Sequence, residues 1–448
     1  MPRWSQRQIF GAALGAWLIV GTLALLGGPP LGHDEAAYAV AARGDAPAWN
    51  YRSSGMITIA RIGLALGGSN AALRIVALLA GAGVIVAAYA LGRAAFDART
   101  GAWAAAVLAT AHPMASRSAE LIGDLPATAC LLGGVAVLLG ELERDRPRWR
   151  LVLAAPLFAA AFYVRYGSAP VIVMIAVLTV LLYARKLFCL PVLATVLALG
   201  AFLVPHVMHS IATTGSPLGI LTASASMPRR AYVGEGLVTY VTSNPFVFYG
   251  VVVAPVMIAS LVGLALLRIR RAQLFVIGLA LGQLVSLGIQ SHAQPRYVFF
   301  ATALLVIAGV DAIRTHATHE RAAAGIVGLA WLGLAIGIVP FQHYVARLRA
   351  PLYAAGAAVR ADAHGRSCAI AANVVPQLMW ATGCDVIVAH AAPSLAAPWP
   401  AVEVKYVVSA PHAVVGKALL DDVAATARAM PHEIEVANPD AHAWRLDP

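Results

Sequence analysis

Residues 9–38 read IFGAALGAWLIVGTLALLGGPPLGHDEAAY: an apolar run, a Gly-Gly-Pro-Pro break, and then two adjacent carboxylates. The run from Ile9 to Leu26 is long enough to cross a bilayer, and Gly27-Gly28-Pro29-Pro30 cannot continue a helix. Asp34 and Glu35 therefore follow where a membrane helix would surface. An acidic pair there is costly to bury and is not needed for solubility, so it points to chemistry at the lipid–water interface. The run has no Ala-x-Ala cleavage site and leads straight into the carboxylates, which predicts a retained anchor.

Outward from this stretch the same apolar pattern recurs. The chain is 60% hydrophobic and 12% charged, with a mean hydropathy of +0.76, far from a soluble composition. About eleven spans are expected, at 9–27, 71–91, 101–116, 125–140, 151–164, 169–184, 188–206, 247–267, 273–290, 298–313 and 323–340. The expected fold is thus an α-helical polytopic membrane protein over residues 1–340. A distinct tail, 341–448, shows a coarse α/β rhythm. Its apolar β-type runs are Cys368–Ala372, Val386–Ala389 and Tyr406–Ser409, and its helical patterns fall at Pro351–Ala361 and Val414–Met430.

The net charge of +11 reports topology rather than nucleic acid. Arg3/Arg7, Arg93/Arg99, Arg144/Arg146/Arg148/Arg150, Arg185/Lys186, Arg268/Arg270/Arg271 and Arg314/Arg321 fall on alternate short loops, the cytoplasmic pattern. The N-terminus is then inside, and the carboxylate motif and the tail are outside. Cys368 and Cys384 share the outer compartment and are candidates for a disulfide. Two outer loops are long, 28–70 and 207–246. The first contains an amphipathic stretch, Ile57–Leu66, suited to lying on the membrane; the second, rich in Gly, Pro, Ser and Thr, is expected to be a mobile cover.

The outer arginines Arg43, Arg52, Arg61, Arg74, Arg117, Arg165, Arg229, Arg230 and Arg296 have no topological reason, and no lysine accompanies them. A guanidinium offers a bidentate fork to phosphate, although snorkelling also accounts for interfacial arginines. If residues 34–43 are helical, Asp34 is placed as the N-cap and Tyr38 one turn on. Asp124, before Leu125-Pro126, is likewise placed as a cap, or as a carboxylate opposite Asp34 that aids acceptor or metal binding. Arg165 in Tyr163-Val164-Arg165-Tyr166-Gly167, and Pro295-Arg296-Tyr297, each put a cation at the outer face.

In order and spacing these residues resemble the GT-C glycosyltransferases, especially the branch related to protein O-mannosyltransferases and aminoarabinose transferases. The resemblance rests on Asp34-Glu35-x-x-Tyr38, Arg74, Tyr89-Ala90-Leu91-Gly92-Arg93, Pro113…Ser116-Arg117…Asp124, Arg165-Tyr166-Gly167 and Arg296-Tyr297. It covers about residues 1–320. Arg165 stands where many relatives have lysine, and the second long loop matches no particular subfamily. The Ala/Arg-rich, Lys-poor composition fits a GC-rich bacterium such as an actinobacterium.

The resemblance implies a multi-pass enzyme of the plasma (inner) membrane with its active site on the extracytoplasmic face. Its donor would be a polyprenyl-phosphate sugar and its acceptor a cell-envelope glycan, lipid or protein, with inversion at the anomeric carbon. Asp34 would be the base. Glu35, Tyr38, Arg74, Arg117, Asp124, Arg165, Arg296 and Tyr297 would surround substrate and donor phosphate. A divalent Mg or Mn held by Asp34 or Asp124 is a further option, since some relatives use one. Two other classes stay open at this stage. A lipid-linked-sugar flippase predicts ionisable residues deep in the spans, which hold almost none, and repeats, of which there is no sign. A non-catalytic polyprenyl-lipid-binding envelope protein could keep the same carboxylates.

Overall fold

The computed structural model describes residues 4–44, 52–225, 231–266, 270–316, 320–388, 399–411 and 417–447. Arg3, Arg229, Arg230 and Arg268 lie outside the described residues. The protein is predominantly helical and divides into two compact units. One comprises Met1–Ala24, Asn50–Met56 and Ile75–Ile338; the other comprises Leu25–Trp49, Ile57–Arg74 and Val339–Pro448.

Among the described residues, eight helices are long and apolar enough to cross a membrane: Gln6–Leu26, Asn70–Ala95, Asp124–Leu142, Tyr166–Lys186, Leu190–Thr214, Arg271–Gln290, Pro295–Thr315 and Glu320–Ala363. The other three expected spans form shorter helices. At 101–116 the helix Ala98–Leu108 ends and a separate turn, His112–Ala115, begins with Pro113 in its first positions. Proline has no N–H to continue the preceding helix, which is why one apolar run becomes two pieces. The remaining two are Trp149–Val164 and Val253–Leu266.

Within the first unit the helix Phe299–His316 is buried along most of its length. It packs on Val253–Leu266 so closely that a Cβ on Gly309 would collide with the Val256 carbonyl oxygen, the small-residue contact typical of membrane helices. The expected loop at 207–246 is largely helical instead. The helix Leu190–Thr214 runs through Pro205 and stops at Gly215, whose φ of +74° closes it. Gly219–Ala225 and Glu235–Thr242 follow as short helices.

The second unit holds a five-stranded sheet: β1 (Cys368–Ala372), β2 (Asp385–Val388), β3 (Val404–Ser409), β4 (Met430–Ile434) and β5 (His442–Asp447), in the order β2-β1-β3-β5-β4. β2, β1 and β3 are parallel, and β5 pairs antiparallel with β3 and β4. Alternation sets the two faces. Ile370, Tyr406 and Val408 bury against Val359 and Leu378, whereas Ala371, Val407 and Leu446 bury against Leu419 and Val423. The pairing of Ala369 with Asp385 brings Cys368 opposite Cys384, and the two are joined as a disulfide. The same unit contains the helices His33–Arg43 and Val375–Thr382, and the stretch expected to lie flat forms part of the helix Ser54–Ala65.

Candidate active site

The motif at Gly32–Tyr38 opens the helix His33–Arg43, but its N-cap is Gly32 and not Asp34. Glu35, three residues on, accepts the Gly32 backbone N–H at 2.7 Å, the N3 half of a capping box. Asp34 is half-buried and shares a helix face with Tyr38 one turn later.

Glu35 is 2% exposed and Arg74 4%. Arg74 forks onto it, Nε to Oε1 and Nη2 to Oε2, each at 2.9 Å. Arg74 also donates to the carbonyls of Pro29 at 2.5 Å and Pro30 at 3.2 Å. Arg349 reaches the Pro30 carbonyl at 2.7 Å and Glu35 Oε2 at 3.3 Å, and the Tyr353 hydroxyl donates to the Leu31 carbonyl at 2.9 Å. Burial raises the Glu35 pKa, but Arg74, Arg349 and the Gly32 N–H together outweigh it and hold the carboxyl below its ordinary value. The pair thus organises the chain entering the motif. The Arg74 fork that the sequence reading set beside donor phosphate is here engaged by Glu35 and by the Pro29–Pro30 bend.

The other expected residues gather in the first unit. A small, partly open cleft is lined by Asp124, Arg165, Arg296 and Tyr297, together with Thr128, Ser168 and Gln283. Asp124, 6% exposed, lies in the first turn of the helix Asp124–Leu142, whose N-cap is Gly123; the expectation of Asp124 as cap is corrected. Its carboxylate pairs with Arg165 instead. Gly123 permits that meeting: a Cβ there would lie 2.5 Å from the Val164 carbonyl oxygen. Arg165 sits in an extended link between the helix Ala154–Val164 and the turn Tyr166–Ser168. Phe162 and Tyr166 anchor this link by burying with Ile220.

Two guanidiniums converge on the Tyr297 ring, Arg165 at 5.1 Å and Arg296 at 5.4 Å from its centroid. Arg296 Nε donates to Gln294 Oε1 at 2.7 Å. The lining therefore carries two cations against one carboxylate and can accept an anion. Arg117 pairs with Glu120 in its own turn at 2.8 Å and does not line the cleft.

Sequence reasoning missed Gln283. Its Nε2 donates to the Tyr297 carbonyl at 3.3 Å, and its buried Oε1 has no hydrogen-bond partner among the described residues. An amide inside an otherwise apolar span is a signal that could have found it. Tyr240 was missed as well. Burial and the neighbouring Tyr249 push its phenol up to about 12, against the opposing charge of Arg165. As for Mg or Mn, no group of three His, Cys, Asp or Glu among the described residues could hold an ion. The one carboxylate in the cleft is already charge-paired, so no step is derived through a metal.

Residues 56–209 match the family described as dolichyl-phosphate-mannose-protein mannosyltransferase. No match is found among curated protein sequences. In fold the chain is similar to ArnT from Cupriavidus metallidurans in the apo state, with a TM-score of 0.71 at 13% identity over 98% of this chain and 97% of that one. It is similar to the same protein bound to undecaprenyl phosphate, with a TM-score of 0.67 at 16% identity over the same shares. The archaeal oligosaccharyltransferase AglB from Archaeoglobus fulgidus, in complex with an inhibitory peptide and a dolichol-phosphate, matches with a TM-score of 0.53 at 12% identity, over 86% of this chain and 65% of that one. The chain thus shares the fold of ArnT over nearly its whole length, with eight described helices long and apolar enough to cross a membrane, and its residues 56–209 match a mannosyltransferase family.

Proposed function

We propose that this protein moves a sugar from a polyprenyl-phosphate donor to an extracytoplasmic acceptor, a cell-envelope glycan, lipid or protein, at the outer face of the plasma (inner) membrane. Residues 1–340 would form the transferase part and 341–448 an extracytoplasmic domain. The observation that carries the proposal is the convergence of Arg165 and Arg296 on Tyr297 in one cleft. A structural neighbour that holds undecaprenyl phosphate supports the donor class.

In this mechanism Asp34 accepts the proton of an acceptor hydroxyl as its oxygen attacks the anomeric carbon. The bond from that carbon to the phosphate oxygen breaks, the electron pair leaves with polyprenyl phosphate, and the configuration inverts. Negative charge grows on the phosphate during this step, where Arg165 and Arg296 stabilise it. Asp124 holds the Arg165 fork in place, and Glu35 keeps the helix carrying Asp34 on its entry bend.

The test uses purified protein in lipid nanodiscs with radiolabelled polyprenyl-phosphate mannose as donor and an envelope extract as acceptor. Transfer by wild type, abolished in Asp34→Asn and weakened through donor KM in Arg296→Ala, is the expected result. Full transfer by Asp34→Asn would remove Asp34 as base. Equal binding of undecaprenyl phosphate by wild type and by an Arg165→Ala/Arg296→Ala variant would remove the phosphate site.

A further inference from the structure

The helix His33–Arg43 is gripped at both ends by the C-terminal part of its own unit. At its start, Arg349 and Tyr353 hold the carbonyls of Pro30 and Leu31. At its end, the Arg43 guanidinium lies over the Trp380 ring, 4.5 Å from the centroid, and Nη2 donates to the Met379 carbonyl at 3.0 Å. Trp380 is itself oriented, because its Nε1–H donates to Asn70 Oδ1 at 3.0 Å.

The residues that grip its end, Met379 and Trp380, sit on the helix Val375–Thr382, which lies between Cys368 and Cys384 and is closed into a loop by their disulfide. A single basic residue in the last turn of a helix is ordinary dipole compensation and needs no partner. Here it has an aromatic face and a carbonyl to itself, supplied by a cross-linked element far along the chain.

Arg43 stands nine residues beyond Asp34 on one helix, about 13 Å along the axis at 1.5 Å per residue. A rigid helix held at that distance has its tilt set by the grip, and tilt moves Asp34. A displacement of about 1 Å at a reacting group costs about 10²-fold in rate. We propose that Trp380, presented by the disulfide-closed Val375–Thr382 helix, is a positioning residue that fixes through Arg43 the helix carrying Asp34. This rests on Asp34 being the base.

The test compares full-length wild type with Trp380→Ala, Trp380→Phe and the double variant Cys368→Ser/Cys384→Ser, all in nanodiscs. Two quantities are measured: amide hydrogen exchange over residues 33–43, and transfer kinetics with polyprenyl-phosphate mannose as the probe. Trp380→Ala and the cysteine variant should speed exchange over 33–43 by tenfold or more. They should lower kcat by tenfold or more and leave donor KM within twofold. Trp380→Phe, which keeps a ring over Arg43, should recover most of both losses.

Unchanged exchange in Trp380→Ala overturns the proposal, as does a loss confined to KM. Should Trp380→Ala not fold, Arg43→Gln removes the other half of the grip and must give the same pattern. The two ideas fail separately. An active Asp34→Asn defeats the base assignment, whereas an inactive Asp34→Asn beside a fully active Trp380→Ala defeats positioning alone.

Discussion

Replacing Glu35 by alanine should cost far more than its place at a helix start suggests. The carboxylate takes both prongs of the Arg74 fork at 2.9 Å, Arg349 at 3.3 Å and the Gly32 N–H at 2.7 Å. Each hydrogen bond to a charged group is worth about 1.5–3 kcal/mol in isolation, but bonds that share one carboxylate do not add. The better guide is the removal of one member of a buried pair, about 3–5 kcal/mol, because the other charge stays buried without compensation. Arg74, 4% exposed, would keep only the Pro29 and Pro30 carbonyls among the partners described above. At 1.36 kcal/mol per tenfold, that cost corresponds to a loss of protection of roughly 10²-fold or more. Hydrogen exchange over residues 33–43 in the intact protein reads it directly, down to the fraying limit. Arg74→Met should lose a similar amount. The double variant should lose clearly less than the two together, since replacing both charges by apolar groups is close to neutral. A change under about threefold in Glu35→Ala, or strictly additive losses in the double variant, would refute the argument.

Acid gives an independent view of the same carboxyl. Its pKa in the folded protein lies below its unfolded value of 4.5, so its stabilisation is complete above about pH 4.5 and is lost as pH falls through the folded pKa. Glu35→Gln should remove that acid-sensitive component, measured as helix protection against pH. In the cleft, Gly123→Ala forces a Cβ against the Val164 carbonyl; a destabilisation of about 1–3 kcal/mol, with weaker undecaprenyl phosphate binding by titration, is expected, and an unaltered protein would argue against the close approach. Gln283→Leu removes a buried acceptor that has no partner among the described residues and should leave thermal stability within about 1 kcal/mol. A large drop in melting temperature would show that Oε1 is satisfied after all.

Much of the membrane part is legible in the chain because hydropathy acts locally. Long apolar runs select helices in lipid. The Gly-Gly-Pro-Pro break foretells the new helix at His33, and the apolar β-type runs at Cys368, Val386 and Tyr406 foretell three strands of the sheet. β4 and β5 escaped notice. β4, Met430–Ile434, carries Pro431, His432 and Glu433 and is mostly exposed at the sheet edge, so hydrophobic alternation has nothing to mark there. The Gly, Pro, Ser and Thr content of 207–246 suggested a loop, yet the helix from Leu190 runs through Pro205 to Thr214 and two short helices follow.

The sequence by itself determined the helical, apolar class of the fold, the carboxylate motif after the first apolar run, and the cations from which a phosphate site could be drawn. Only the tertiary structure decided which cation meets which carboxylate. Asp34 and Glu35 are neighbours of the same charge, and nothing local tells them apart. Burial separates them: Glu35 turns inward and is stabilised only because Arg74 and Arg349 come from elsewhere in the chain to meet it. Likewise Asp124, Arg165 and Arg296 come from three distant segments and share a cleft because their helices pack together, with Gly123 admitting the Val164 carbonyl. Helix periodicity is a property of a few turns; a desolvated ion pair depends on which surfaces the whole fold brings into contact.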